Sequence, residues 1–213
     1  MAKYCSLTFD DGPNIAGDDT MSKMLDVLEK HGVVASFFLI GDKITPENTK
    51  VIERAVKLGC DIENHTWTHP DMTKLTREQM IEEYDKCDDA IIKITGKKPV
   101  LFRPPFICVN DLMHEVIDTP FICGHGCEDW IPERTADERY KIMMDNTQDG
   151  VMYLLHVNEG NDATREVVDR AIPVLKEMGF EFVTAPELYK LKNIPMKDNG
   201  QLWTCVSPLA GGV

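Results

Sequence analysis

No apolar run in this 213-residue sequence approaches the roughly 18 residues that a membrane-spanning helix needs. Positive charge is scarce: 23 lysines and arginines stand against 36 aspartates and glutamates, a net charge of −13. With no lysine–arginine cluster to offset it, that balance repels a nucleic-acid backbone and an anionic membrane surface, so neither is expected as a partner. A neutral substrate fits better. Cysteine is sparse and odd in number, seven in all, which argues against a disulfide framework. Cys123 and Cys127 sit close together in CGHGC, but no second cysteine pair accompanies them, and buried free thiols are the expectation. An apolar leader is also missing from the opening Met1-Ala-Lys-Tyr4. The chain is expected to be cytoplasmic if complete, and secreted if a leader has been removed.

What is present is an ordinary globular composition, 43% hydrophobic and 28% charged, long enough to bury a substantial core. Strand-like segments alternate with amphipathic helical ones. Strands are expected at 4–9, 33–39, 59–63, 100–102, 121–123, 151–155 and 180–183, with helices at 20–31, 47–58, 76–95, 110–117 and 164–178 and another opening at Thr135. Thr76 with Gln79, and Thr135 with Glu138, have the spacing of capping boxes. This alternation indicates an α/β protein with a parallel sheet. An open doubly wound sheet would bind at a switch point, usually through a glycine-rich first turn. Here polar clusters follow several strands, at 10–11, 64–69, 103–106, 129 and 156, as in a barrel. The expected fold is a distorted, incomplete (β/α) barrel with about seven parallel strands. A catalytic domain is expected over 1–193, with 194–213 a tail lacking clear pattern.

The first strand ends in TFDDGP, with Asp10 and Asp11 adjacent before a Gly-Pro turn. Capping that turn explains either carboxylate alone. The segment His65-Thr-Trp-Thr-His69 changes the balance, because two imidazoles four residues apart on a short helical loop can share one metal ion. Neighbouring strand residues point in different directions. One aspartate can therefore complete a three-ligand site while the other faces a bound water and takes its proton. Spacing alone leaves open which does which.

Arg103-Pro-Pro-Phe106 follows the fourth strand. Arg103 is either a surface residue or the partner of the acidic pair, and the stiff backbone suits the Phe106 N–H to an oxyanion. His156 ends a strand and is either a core histidine or a general acid whose pKa Asp129 would raise.

Taken together, TFDDGP, HTWTH, RPPF, Asp129-Trp130 and Leu154-Leu155-His156 resemble the five motifs of the polysaccharide deacetylase family, also called the NodB homology domain or carbohydrate esterase family four. The match runs in order from residue 4 to about 191. The resemblance implies a metal-dependent deacetylase with one divalent ion, zinc or cobalt, on a distorted barrel. It makes Asp10 the base, Asp11, His65 and His69 the metal ligands, and Arg103 the residue that orients Asp10. It makes the Phe106 amide an oxyanion donor, His156 the general acid assisted by Asp129, and Trp130 and Leu155 the walls of the acetyl pocket. Two histidines and a carboxylate also accept nickel.

Two departures bear on substrate. Ile107 stands where the family often has glycine, and the run from Phe121 to Trp130 lacks an earlier aspartate. Both resemble more closely the acetylxylan esterase branch. An acetylated polysaccharide or oligosaccharide, O-acetyl xylan in particular, is therefore the expected partner, on a monomeric enzyme. Deacetylation of N-acetylglucosamine polymers is the alternative, and a binding relative with a dead site is a third reading. His125 and Glu128 have no assigned role.

Overall fold

β1 (Lys3–Gly12) is buried along most of its length, and its neighbours on both sides run parallel to it. A computed structural model describes residues 2–14 and 17–207 of the chain. In it, β2 (Ser36–Leu39), β3 (Asp61–Asn64), β5 (His125–Gly126), β6 (Val151–His156) and β7 (Phe180–Phe182) join β1 in one sheet of order β3-β2-β1-β6-β5. β7 also pairs with β1, along its first residues. β4 (Phe121–Ile122) and β8 (Leu202–Trp203) form a second parallel pair. Single bridges from Asn64 to Phe102 and from Phe102 to Phe121 connect β3 to that pair, and Val151 bridges Cys205. The sheet therefore curls into a barrel without a continuous ladder around it. No helix among the described residues is long and apolar enough to cross a membrane.

The period of two along each strand sorts the side chains. Leu7, Phe9, Phe37, Leu39, Tyr153 and Leu155 face outward into the main core. There they meet α1 (Thr20–His31), α2 (Thr49–Lys57), α3 (Arg77–Thr95), α5 (Ala136–Asp145) and α6 (Asp162–Glu177). Each large apolar side chain so buried contributes about 1.5–3 kcal/mol. Ser6, Thr8 and Asp10 alternate with these and are buried on the other face. A second core, with Phe38, Leu101, Ile122, Met152 and Trp203, packs on α7 (Ala185–Leu191), whose first N–H is taken by Ser36 at the start of β2. α7 thus covers the amino ends of the strands and leaves the carboxyl ends open. α4 (Asp111–Val116) and α3 pack with Phe102 and Phe121 in a third cluster. Both expected capping boxes form. All seven cysteines are free, five of them buried.

The expected strand at 100–102 is reduced to bridges at Phe102. The cause is Glu63, whose Oε2 accepts the N–H groups of both Val100 (2.8 Å) and Leu101 (2.9 Å) in place of a ladder. Glu63→Ala is expected to leave one buried and one half-buried donor unpaired and to cost about 1–3 kcal/mol or more, read as a shift in the denaturation midpoint. Burial pushes the Glu63 carboxyl up to about 8 from about 4.5, against the pull of those two N–H groups. Between these values the folded chain holds a proton that the unfolded chain lacks, so stability falls as pH rises. Glu63→Gln should remove that slope.

Residues 202–206, expected in a patternless tail, extend the wall of the distorted, incomplete barrel. Trp203 accepts the N–H groups of Cys123 and Gly124, Val206 donates to Gly150, and Trp203, Cys205 and Val206 are buried. The strands are too short to show in an apolar pattern.

Candidate active site

Asp10 stands at the carboxyl end of β1, opposite His156 of β6. Strict alternation would send Asp11 to the far face. A register shift between Asp10 and Gly12 and a φ of 71° at Asp11 turn it back, so both carboxylates enter one cleft. A positive φ at a non-glycine residue costs about 1–3 kcal/mol. Six residues that carry it, Asp11, Thr66, His69, Phe106, Ile107 and Glu128, lie in or beside the site motifs.

HTWTH forms no helical turn, contrary to expectation. Asn64 at the end of β3 donates to the Tyr84 carbonyl and to Asp88, and its oxygen accepts the Thr66 N–H. Thr66 Oγ1 in turn accepts the His69 N–H at 3.0 Å. Trp67 anchors the bend against Gly41, where an added Cβ would lie 2.5 Å from the indole ring. The two imidazoles still converge, with ring centroids 4.8 Å apart.

Three ligand atoms, one each from Asp11, His65 and His69, lie within 4.8 Å of one another. His65 Nδ1 donates to the Arg103 carbonyl at 2.7 Å, which leaves the Nε2 lone pair facing the carboxylates. Asp11 Oδ1 is 3.7 Å from His65 Nε2 and 3.6 Å from His69 Nε2, too long for hydrogen bonds. Such gaps suit a small ion bonded at about 2.0–2.1 Å to each donor. Burial lowers the pKa of His65 to about 3 and also lowers that of His69, so both rings are neutral and able to ligate. Donor type, spacing and tautomer all fit a divalent transition metal.

Arg103, fully buried, reaches across the barrel interior. It donates to Asp10 Oδ1 (2.6 Å), Thr8 Oγ1 (2.7 Å) and the Ile122 carbonyl (3.3 Å), with its guanidinium over the Phe38 ring. Burial pushes the Asp10 carboxyl up and Arg103 pulls it back. Oδ2 of Asp10 is turned toward His65 Nε2, 3.7 Å away.

On the opposite wall, His156 Nδ1 donates to Asp129 Oδ1 at 2.8 Å, and the His156 N–H donates to Oδ2. Burial disfavours a charged ring, but the Asp129 hydrogen bond and charge, with Asp10 and Asp11, outweigh it and raise His156 to about 9.

Asp10, Asp11, His65, His69 and His156 line a cleft of about 510 Å³ with Pro104, Phe106, Ile107, Trp130, Leu154 and Asn158. The aromatic rings at its rim are open to solvent, Phe106 at 65% and Trp130 at 52%. Leu155, expected in the pocket wall, is instead in the outer core. Alternation along β6 places Leu154 beside His156 on the cleft side. Arg139, Asn161 and Thr164, which the motifs do not contain, are buried behind Asp129.

The family model for polysaccharide deacetylases matches residues 1–119. A bifunctional xylanase/deacetylase of Pseudobutyrivibrio xylanivorans is 38% identical over 96% of this chain and 33% of its own length. The peptidoglycan-N-acetylglucosamine deacetylase PgdA of Listeria monocytogenes is 33% identical over 88% of this chain and 39% of its own. The chain thus spans a third to two fifths of these curated relatives. A family 4 acetyl xylan esterase from Clostridium thermocellum, solved with a cobalt ion, superposes with a TM-score of 0.91 at 33% identity, covering 97% of this chain and all of the other.

Proposed function

The chain belongs to the polysaccharide deacetylase family, and from that premise we propose that it removes O-acetyl groups from xylan or xylo-oligosaccharides and releases acetate. One observation carries the reading. The Asp11, His65 and His69 donors converge in the same cleft as an arginine-held carboxylate and a carboxylate-held histidine. The choice of xylan is supported by the likeness to the Clostridium thermocellum esterase over its whole solved chain.

Asp11, His65 and His69 would hold one divalent ion, zinc or cobalt, which when bound polarises an acetyl carbonyl and lowers the pKa of a water. Asp10 takes the water proton on Oδ2, since Arg103 occupies Oδ1 and fixes the carboxylate plane. The Phe106 N–H, on a backbone with a φ of 57°, would donate to the developing oxyanion. His156 has Nδ1 committed to Asp129, so Nε2 delivers the proton to the departing sugar oxygen. Phe106 and Trp130 offer exposed apolar faces for the sugar rings.

Turnover then needs His156 protonated, and activity falls as pH rises through its pKa. A bound cation offsets the Asp11 share of the lift, so the alkaline limb of kcat lies at or below 9. Asp129→Asn removes the largest raising contribution and should move that limb down by about one unit or more. An unmoved limb would contradict the pairing.

The second reading, N-deacetylation of N-acetylglucosamine polymers, is favoured by the likeness to PgdA. Acetate release from acetylated xylo-oligosaccharides and from chitin oligomers, on ion-loaded protein, separates the two. Preference for the first supports the proposal, and preference for the second replaces the substrate while keeping the site.

A further inference from the structure

Asp129 spends its two oxygens unequally. Oδ1 serves the His156 ring, whereas Oδ2 accepts the His156 N–H at 2.8 Å, Thr164 Oγ1 at 2.9 Å and Asn161 Nδ2 at 3.4 Å. Behind them lies Arg139, a buried cation that forms no ion pair among the described residues. Its guanidinium donates to Asn161 Oδ1 (2.6 Å), Thr164 Oγ1 (3.1 Å) and the Ile131 carbonyl (3.2 Å). A buried charge held only by neutral groups is costly. Both side chains that receive its hydrogen bonds are donors to Asp129. The route from this cation to a counter-charge therefore runs through them.

Acceptor strength gives the relay a direction. Thr164 has one hydroxyl hydrogen, and Asn161 Oδ1, its other neighbour at 2.9 Å, already accepts from Arg139. Both acceptors lie 2.9 Å from Thr164 Oγ1, and the ionised carboxylate is the stronger of the two, so the single Thr164 hydrogen goes to Asp129 Oδ2. Asn161 occupies the N-cap of α6 but makes no capping hydrogen bond, and its side chain points into this network instead. Arg139 comes from α5 and Thr164 from α6, so two outer helices grip a carboxylate at the barrel mouth.

We infer that Arg139, Asn161 and Thr164 are positioning residues for deacetylation: they hold Asp129 so that Oδ1 is kept for His156 and Nε2 is aimed at the leaving group. This rests on the reading of His156 as proton donor. Leaving-group dependence tests it, because a sugar alkoxide needs a proton to depart and 4-nitrophenolate does not. Ion-loaded wild-type, Thr164→Val, Thr164→Ser, Arg139→Met and His156→Ala proteins are compared on acetylated xylo-oligosaccharides and on 4-nitrophenyl acetate. Thr164→Val should lower kcat on the sugar ester about tenfold, the lower end for loss of an outer-shell partner. Its loss on the aryl ester should be several times smaller, and KM should hold. Thr164→Ser should restore the sugar-ester rate. Arg139→Met should show the same split, wider, and the near-isosteric Thr164→Val carries the test if that protein does not fold. Equal losses on the two esters, or a wild-type sugar-ester rate in Thr164→Val, would overturn the relay while a split in His156→Ala stands. A His156→Ala protein without the split would overturn the donor assignment and the relay with it.

Discussion

His65→Ala is expected to lose the bound ion and acetate release together. His65 is buried, and its two nitrogens do different work. Nδ1 is tied to the Arg103 carbonyl, and Nε2 faces Asp10 and Asp11. Alanine removes one of three donors, empties a ring-sized space and leaves that carbonyl without its partner. Polarisation by a bound ion is worth several kcal/mol at the transition state, so at about 1.4 kcal/mol per decade the rate should fall a thousandfold or more. Ion content by elemental analysis and acetate release, measured on the same sample, check it. A His65→Ala protein that binds no ion yet turns over normally would remove the ion from the chemistry.

Asp10→Asn should separate what His65→Ala joins. The amide keeps the shape, and its oxygen can still accept from Arg103, but the group facing the water no longer takes a proton. Ion content should stay at the wild-type level. The kcat should fall by about 10²–10⁴-fold, the usual contribution of a positioned base, with KM little changed. A protein that retained more than a tenth of its turnover would show that Asp10 is not the base. If the ion were lost as well, Asp10 would belong among the ligands.

These two substitutions concern residues that the sequence already brought into view. Local signals carried most of them: adjacent aspartates at a strand end, paired histidines, and an arginine before two prolines. What stayed hidden depends on contacts distant in the chain. The strand at 100–102 dissolves because a carboxylate 37 residues away takes its N–H groups. HTWTH is a strained bend because Asn64 is anchored on α3. Arg139, Asn161 and Thr164 read as ordinary helix residues until α5 and α6 pack together behind Asp129. Leu155 is a different case, since alternation along β6 already sets its face. The same period of two that brings His156 into the cleft brings Leu154 and turns Leu155 away. Asp11 is the converse, because alternation alone would have sent it outward and only the bulge after Asp10 returns it.

The most direct test is an ion titration of chelator-treated protein, with acetate release from acetylated xylo-oligosaccharides recorded at each step. Cobalt or zinc should restore activity in proportion to binding and saturate at one ion per chain, with no recovery in a protein carrying both His65→Ala and His69→Ala. Acetate release that persists at full chelation, or full occupancy without any acetate, would contradict a one-ion deacetylase built on Asp11, His65 and His69.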